Sequence, residues 1–373
     1  MCNIRFFFIF IVFSGMVQAQ PGTIGSHFEN SQLVRDLSGY KWKMKFMLPG
    51  EGIKEGLHEL PPEDIETLVW NPAHVPGDVY TDSWLAGLID DPYFGRNSSK
   101  AQWVANYEWW YTYQFDVTED IGNQVIRLDF DGIDYSCDIW LNGHHLGRHE
   151  GAFSNFSYDI TAYLNTSKHW LKSKNMLTIK LDPPPKVNAK VAGRKTPWFG
   201  DYWRDLIPFG IWQPIRMVST GKTRILDAYA NSKEIATSLA KVDLEIEVEN
   251  TTNVARDIQI ISSIEGKNFD QKPVTFEIKR NIPPGKHIIV QPIEVKNPKL
   301  WWPWDLGDPN LYTLKISIKE ENVNQDFKET SFGIRTVEMA WNPGFTKEEV
   351  SLPRTTMIND KFHFIRSAVW GGP

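Results

Sequence analysis

The sequence predicts an all-β protein built from consecutive β-sandwich domains. Apolar residues alternate with aspartates over Leu128–Phe130 and alternate again over Cys137–Leu141, the period of half-buried strands. Asn142-Gly143 then predicts a hairpin, because both turn positions need a positive φ. Further along, Lys241–Asn250 alternates cleanly, and more strand-like segments follow at the intervals of a small immunoglobulin-like sandwich. The 373 residues are enough for two or three such domains.

The composition excludes several classes of protein. With 41% hydrophobic and 23% charged residues, the chain is globular rather than disordered. The net charge of -6 argues against a nucleic acid or an anionic membrane as the main partner. Aromatic residues make up 13%, including 16 tryptophans, which suggests a carbohydrate ligand because sugar faces stack on aromatic rings. Most of these rings are nevertheless expected to fill the sandwich cores.

The N-terminus has the pattern of a secretory signal peptide over residues 1–19. Arg5 precedes an apolar run from Phe6 to Phe13, and Val17-Gln18-Ala19 is a small-x-small cleavage site. The run is shorter than the roughly 20 apolar residues that a membrane span needs. We therefore predict a secreted or periplasmic protein, lysosomal if the source is eukaryotic, without a membrane span once the signal is removed.

Cysteine usage and histidine spacing predict neither a disulfide nor a metal site. Cys2 leaves with the signal peptide, so the mature chain keeps only Cys137 and cannot form an internal disulfide. Cys137 lies at an inward-alternating position and is predicted to be a small buried hydrophobic residue. Because no metal-ligand spacing occurs, we predict no metal and no cofactor.

Residues 131–161 carry a family resemblance. The order D-G-I-D-Y…W-L-N-G…H-E-G-A-F…Y-D-I-T resembles the sugar-binding domain of glycoside hydrolase family 2, and the β-mannosidase-like branch most of all. The resemblance runs from about Trp42 to Trp370. It implies a jelly-roll sugar-binding domain over 20–222, an immunoglobulin-like β-sandwich over 223–337 and, over 338–373, the start of a truncated (β/α)₈ barrel. The segment Phe364–Trp370 would be the first barrel strand.

A second resemblance concerns the segment V-P-G-D-V-Y…L-I-D-D-P-Y-F-G-R-N, residues 75–97. It is similar to a β-mannosidase loop that runs toward the mouth of the active site. The residues alone, Asp90-Asp91-Pro92 above all, also fit an ordinary capped turn. Both interpretations stay open from the sequence.

The segment Arg194–Ile215 is the most informative for function. It combines aromatic, acidic and basic residues between Gly and Pro, and loops on a rigid sandwich are where binding residues concentrate. In β-mannosidases the corresponding loop carries W-D-W-G-P and touches the sugar that is cleaved. Phe199–Tyr202 is the best match, although the motif's first Trp and its Gly-Pro are missing, which leaves mannose specificity open. The resemblance implies four sugar-binding residues: Arg194, Trp198, Asp201 and Tyr202. Without it, the charged residues of the segment would be surface ion pairs that hold a loop.

The resemblance also implies the activity of the longer protein. Family members are retaining glycosidases, which use two carboxylates about 5–5.5 Å apart. In the family both lie on late barrel strands, so no residue of this chain is predicted to be catalytic; Glu150, beside His149, is predicted to be structural. We therefore predict the N-terminal part of a secreted, β-mannosidase-like exo-β-glycosidase that acts on an oligosaccharide or glycoside, and this chain alone is predicted to be inactive.

Two alternatives remain at this point. The chain could be a free-standing, non-catalytic carbohydrate-binding protein. It could also belong to a family member with β-glucosaminidase, β-galactosidase or β-glucuronidase specificity. The sequence contains four glycosylation sequons, at Asn97, Asn155, Asn165 and Asn250, which matter only in a eukaryotic secretory pathway.

Overall fold

The computed structural model describes residues 33–117, 121–166, 174–185, 206–352 and 355–366. The predicted signal peptide lies outside these residues. The described strands of the first domain are β1 Leu33–Asp36, β2 Gly39–Met47, β3 Asn71–Val75, β4 Glu108–Asp116, β5 Val125–Phe130, β6 Ser136–Leu141, β7 His144–Glu150, β8 Phe156–Asp159, β9 Lys174–Leu181 and β10 Ile215–Thr220. Its helices are α1 Glu51–Lys54, α2 Val79–Leu85 and α3 Asn97–Lys100, with 3₁₀ turns at Pro62–Thr67, Gln102–Asn106 and Thr161–Tyr163.

These strands form an antiparallel sandwich. Among the described residues, one sheet has the order β1-β10-β5-β8 and the other β3-β2-β4-β9-β6-β7. Buried side chains of both sheets, such as Leu128 and Met217 from the first and Trp42 and Trp109 from the second, pack into one core. The sandwich confirms the all-β prediction for this domain.

Strand β4 is buried on both faces. Trp109 packs into the main core with Tyr111, Tyr113 and Phe115, as the alternation predicts. Trp110 points to the opposite face, where it stacks on Trp140 at a ring-centroid distance of 5.5 Å. A sheet covered on both sides cannot present a flat binding face at this strand. Binding residues must therefore come from the connections at the ends of the strands.

The hairpin at Asn142-Gly143 joins β6 to β7. Both residues have positive φ values, 51° and 82°, so the predicted turn is confirmed. The H-E-G-A-F segment begins in the last two residues of β7, His149 and Glu150, at the same end of the sandwich where β6 begins.

The second domain is a separate sandwich with its own core. Its strands are β11 Thr223–Ile235, β12 Leu239–Asn250, β13 Arg256–Gly266, β14 Val274–Ile282, β15 Gly285–Lys296, β16 Tyr312–Glu320 and β17 Val323–Phe332. They form sheets of order β11-β12-β15 and β14-β13-β16-β17. The predicted inward positions of β12 are all buried: Val242, Leu244, Ile246 and Val248.

A small antiparallel sheet follows, with β18 Val337–Ala340, β19 Thr355–Ile358 and β20 Lys361–His363. It is joined to the second domain through Trp301, whose carbonyl oxygen accepts the Asn359 side-chain amide (3.1 Å). Arg335 lies over the Trp301 ring, with its guanidinium carbon 4.3 Å from the centroid. Residues 364–366 continue without strand pairing, and the rest of the predicted barrel strand lies outside the described residues.

Candidate functional site

The side chains predicted to contact the sugar, Arg194, Trp198, Asp201 and Tyr202, lie outside the described residues. The structure does describe the frame that carries their segment. The chain enters the segment after residue 185 and leaves it at residue 206, and the residues on both sides have defined contacts. These contacts show which part of the sandwich presents the segment.

The segment leaves from the end of β9, beside the start of β6. The Asp182 N–H donates to the carbonyl oxygen of Ser136 (3.0 Å), and the Ser136 hydroxyl donates to the Asp182 carboxylate (3.0 Å). Lys180 lies between Asp138 and Asp182, at 2.9 and 3.3 Å, and Arg148 contacts both carboxylates. This network joins β6, β7 and β9, so the point of departure is fixed.

The returning chain is held by the turn that precedes α2. The Gly77 N–H donates to the carbonyl oxygen of Ile211 (2.8 Å), and the Val79 N–H donates to that of Phe209 (3.0 Å). The side chains of Phe209 and Ile211 are buried in the main core. Backbone hydrogen bonds and apolar burial therefore fix the return point; we call residues 77–80 the clamp.

Gly210 occupies the tightest position against the clamp. It exchanges backbone hydrogen bonds of 2.8 and 2.9 Å with Asp134, between β5 and β6. A Cβ at position 210 would lie 2.7 Å from the Asp78 Cα and 2.7 Å from the Gly77 carbonyl oxygen. Only glycine permits this approach of two backbones. Sequence reasoning did not predict this contact, because it joins residues more than 130 positions apart in the chain.

Two aspartates, Asp78 in the clamp and Asp82 just after it, accept backbone hydrogen bonds there. Asp78 caps α2 by accepting the Tyr80 N–H (3.0 Å), and the Tyr80 hydroxyl accepts the Ile207 N–H (3.4 Å). Asp82 is buried and accepts the His74 N–H (3.1 Å). Burial raises the pKa of Asp82 to about 7. Sequence reasoning missed Asp82, because an aspartate in a short helix ordinarily faces water and only tertiary packing buries this one.

The predicted Asp90-Asp91-Pro92 loop has the geometry of a capped turn. The Asp91 carboxylate accepts the Tyr93 N–H (2.9 Å), and its carbonyl oxygen accepts the Asn97 side-chain amide (3.0 Å). Asp90 makes an exposed ion pair with Lys100 (3.7 Å). These contacts account for the acidic residues locally, and a role in lining a sugar site stays a prediction.

The β6–β7 hairpin carries three side chains that could be reactive, His149, Glu150 and Cys137, and their surroundings indicate a structural role. The His149 ring stacks on Phe156 at 3.9 Å, and its Nε2 lies 3.1 Å from the Ser154 hydroxyl oxygen. Burial lowers the pKa of His149, which keeps the ring neutral near pH 7, and Glu150 is exposed. Cys137 is buried, as predicted, and burial raises its pKa to about 12, so its thiol is not a nucleophile.

A polar cleft of about 720 Å³ lies where the two sandwiches meet. Arg127 is buried there and donates to the Thr220 hydroxyl (2.8 Å), while Arg224 pairs with Glu249 (2.6 Å). Burial raises the pKa of Asp326 to about 6 and lowers that of Arg127. Charged groups of both domains face one another in the cleft, so we interpret it as the joint between the domains.

Two further properties hold for the part of the chain that the structure describes. It contains no group of three or more His, Cys, Asp or Glu side chains that could hold a metal ion. No helix in it combines the length and the apolar character needed to cross a membrane.

Two protein-family models match consecutive parts of the chain. The model described as "Glycosyl hydrolase 2 galactose-binding domain-like" matches residues 52–209, and "Glycosyl hydrolases family 2" matches residues 223–335. The first match includes all four predicted sugar-binding residues. The second covers the immunoglobulin-like sandwich almost completely.

The chain is also similar to named relatives. A mannosylglycoprotein endo-beta-mannosidase of Lilium longiflorum is 26% identical over 81% of the chain, and beta-mannosidase B of Emericella nidulans is 26% identical over 72%. A beta-galactosidase of Bacteroides ovatus is 25% identical over 64%. The chain spans about a third of the length of the first two relatives, 33% in each case.

The fold has counterparts among solved structures. A β-D-mannosidase from Dictyoglomus thermophilum covers 91% of the chain with a TM-score of 0.71 and 26% identity, and the match covers 40% of that protein. An exo-chitosanase from Amycolatopsis orientalis covers 88% with a TM-score of 0.70 and 19% identity, which shows a shared fold; this match covers 36% of the chitosanase.

Proposed function

We propose that this chain, which belongs to glycoside hydrolase family 2 and resembles the N-terminal portion of β-mannosidases, positions the sugar for a catalytic domain in a longer, secreted β-glycosidase. The mannosidase relatives make a terminal β-linked mannoside the favoured substrate. The β-galactosidase relative keeps galactoside specificity as an alternative. We assign no catalytic carboxylate to this chain. The two that a retaining glycosidase needs would lie in the catalytic domain.

One observation carries the proposal: both ends of segment 186–205 are fixed at one end of the jelly roll. The departure point is held by Asp182 and Ser136, and the return point by the clamp and Gly210. Binding residues concentrate in connecting segments that a rigid scaffold presents from a fixed place. This is the arrangement that a sugar-positioning loop needs.

An exposed apolar surface supports the presence of a further domain. Seven large apolar side chains, each more than half exposed, lie on or beside the β18–β20 sheet: Val337, Met339, Phe345, Leu352, Phe362, Phe364 and Ile365. Large exposed apolar side chains concentrated in one region mark an interaction site. We assign it to contact with the catalytic domain.

The roles of the loop residues follow from sugar chemistry. The Asp201 carboxylate would accept hydrogen bonds from two neighbouring hydroxyl groups, and charge-assisted bonds of this kind are about twice as strong as neutral ones. Trp198 and Tyr202 would cover the apolar face of the pyranose ring, and Arg194 would donate to a further hydroxyl. The catalytic domain would then supply acid/base and nucleophile.

The proposal is tested on the protein secreted by its native source. We expect an intact mass larger than that of residues 20–373 by a barrel of roughly 250 residues or more. We also expect hydrolysis of 4-nitrophenyl β-mannopyranoside faster than that of the β-galactoside, β-glucuronide and N-acetyl-β-glucosaminide. A mass equal to that of residues 20–373, with saccharide binding and no hydrolysis, would instead establish a free-standing carbohydrate-binding protein.

A further inference from the structure

Two exposed aromatic rings form a pair beside the return point of the loop. Phe153 is 67% exposed and Trp212 is 37% exposed. Their ring centroids are 5.7 Å apart and their planes are inclined at 78°. The two rings meet edge to face and are open to solvent; we call this pair the corner. The other large aromatic side chains of the domain mostly fill the core.

The Trp212 ring of the corner is held in place before any ligand arrives. The Trp212 indole N–H donates to the carbonyl oxygen of Ala152 (2.8 Å), and Ala152 itself is buried. On its other side the indole lies against Gly132, where a Cβ would come within 2.9 Å of the indole nitrogen. A ring held in this way loses little rotamer freedom on binding, so more of its contact energy appears as affinity.

The surroundings of the corner favour a saccharide over a protein surface. Its neighbours in the chain, Ser154, Asn155 and Gln213, are polar and at least partly exposed. A pyranose ring has an apolar C–H face and a rim of hydroxyls, which matches aromatic rings bordered by hydroxyl and amide groups. The exposed large apolar side chains around β18–β20 are more numerous, seven against two, as expected for contact with another domain.

The position of the corner relates it to the loop. Trp212 follows Gly210 and Ile211, whose backbones are fixed against Asp134 and the clamp. We propose that Phe153 and Trp212 bind a second sugar unit of a β-linked oligosaccharide, next to the unit that the loop holds. This inference rests on the proposed function for the identity of the saccharide. It adds a subsite built entirely from described residues of this chain.

The test uses the chain itself and needs no hydrolysis. The chain is titrated with β-1,4-linked mannotriose and, separately, with methyl β-mannopyranoside. Binding is followed by the indole N–H signal of Trp212 in ¹H–¹⁵N spectra, assigned from its loss in Trp212→Phe. We expect a saturable shift with mannotriose, and an affinity about tenfold lower in Phe153→Ala, since the contact between the sugar and this aromatic ring is lost. Phe153→Tyr keeps an aromatic ring and should bind mannotriose with the affinity of the unaltered chain.

The matched control is Tyr229→Ala, which removes a ring of similar exposure, 59%, on the immunoglobulin-like domain. We expect it to leave the mannotriose affinity within twofold of that of the unaltered chain. Equal losses in Phe153→Ala and Tyr229→Ala, or no shift of the Trp212 signal at millimolar mannotriose, would overturn the inference. Failure of the proposed function would be recognised separately, as absence of β-mannosidase activity in the secreted protein.

Discussion

The two sandwiches share strand chemistry but differ in what their connections do. The immunoglobulin-like domain fills its core with aliphatic residues such as Ile246, and turns such as that at Gly285 join its strands. The jelly roll buries Trp109 and Trp110 on opposite faces of one strand, and its long connections pack back onto the sheets, as the clamp does. From this difference we predict that the second domain is a spacer and that the first holds the loops in place.

The largest effect on stability is expected from a core change in the spacer. Ile246→Ala should lower the free energy of unfolding by about 3–4 kcal/mol, because a fully buried side chain is replaced by a cavity. The control Ile288→Ala, at a position 70% exposed on β15, should cost less than about 0.5 kcal/mol. Denaturant unfolding measures both. In the longer protein, kcat/KM of folded Ile246→Ala should stay within twofold, and a large loss would mean that this domain is more than a spacer.

Replacing one glycine in each domain tests the difference between the two domains. Gly210→Ala should cost about 2–3 kcal/mol, because the added Cβ would meet the backbone of the clamp. Gly285→Ala should cost only about 1 kcal/mol, since its φ of 94° is strained for alanine but nothing lies within 4 Å. Gly210→Ala should also lower kcat/KM about tenfold or more through displacement of the loop. If Gly210→Ala and Gly285→Ala lowered the free energy of unfolding equally and kcat/KM of Gly210→Ala were unchanged, the clamp would not be what positions the loop.

The pH dependence of stability should separate a buried aspartate of each domain. The pKa values of Asp82 and Asp326 are raised from 3.8 to about 7 and about 6. The folded state therefore holds protons that the unfolded state releases, and stability falls as the pH rises from about 4 to these values. The slope is at most about 1.4 kcal/mol per pH unit for each group.

Between pH 6 and 7 the slope should come mainly from Asp82. Asp82→Asn should flatten the unfolding free energy in this interval, whereas Asp326→Asn should change it mainly below pH 6. Chemical denaturation of both variants and of the unaltered chain at half-unit steps gives the curves. An unchanged slope in Asp82→Asn between pH 6 and 7 would contradict the burial of this carboxylate under the clamp.

Much of the fold could be predicted because its signals are local. Alternation over β12 placed Val242, Leu244, Ile246 and Val248 in the core, and Asn142-Gly143 marked its hairpin. Local patterns suffice there because a two-residue period and a positive φ are properties of the nearby chain.

The frame of the site could not be predicted in the same way. Gly210 meets Gly77 and Asp78 across more than 130 residues of sequence, and Asp82 is buried beside His74 and Tyr111. The local sequence does not distinguish Gly210 from an ordinary turn glycine, nor Asp82 from an aspartate on the surface. The resemblance of V-P-G-D-V-Y to a family loop did not predict that this segment holds the backbone of Phe209 and Ile211, which the structure shows.

The most direct test of the central claim is the kinetics of Asp201→Ala and Asp205→Ala in the longer secreted protein, with 4-nitrophenyl β-mannopyranoside. If segment 186–205 positions the sugar, Asp201→Ala should lower kcat/KM by about tenfold to a hundredfold, the cost of losing one or two hydrogen bonds to a charged group. Asp205 lies outside the family motif, so kcat/KM of Asp205→Ala should stay within about twofold of that of the unaltered protein. Equal and small effects would contradict the assignment of Asp201 to the sugar.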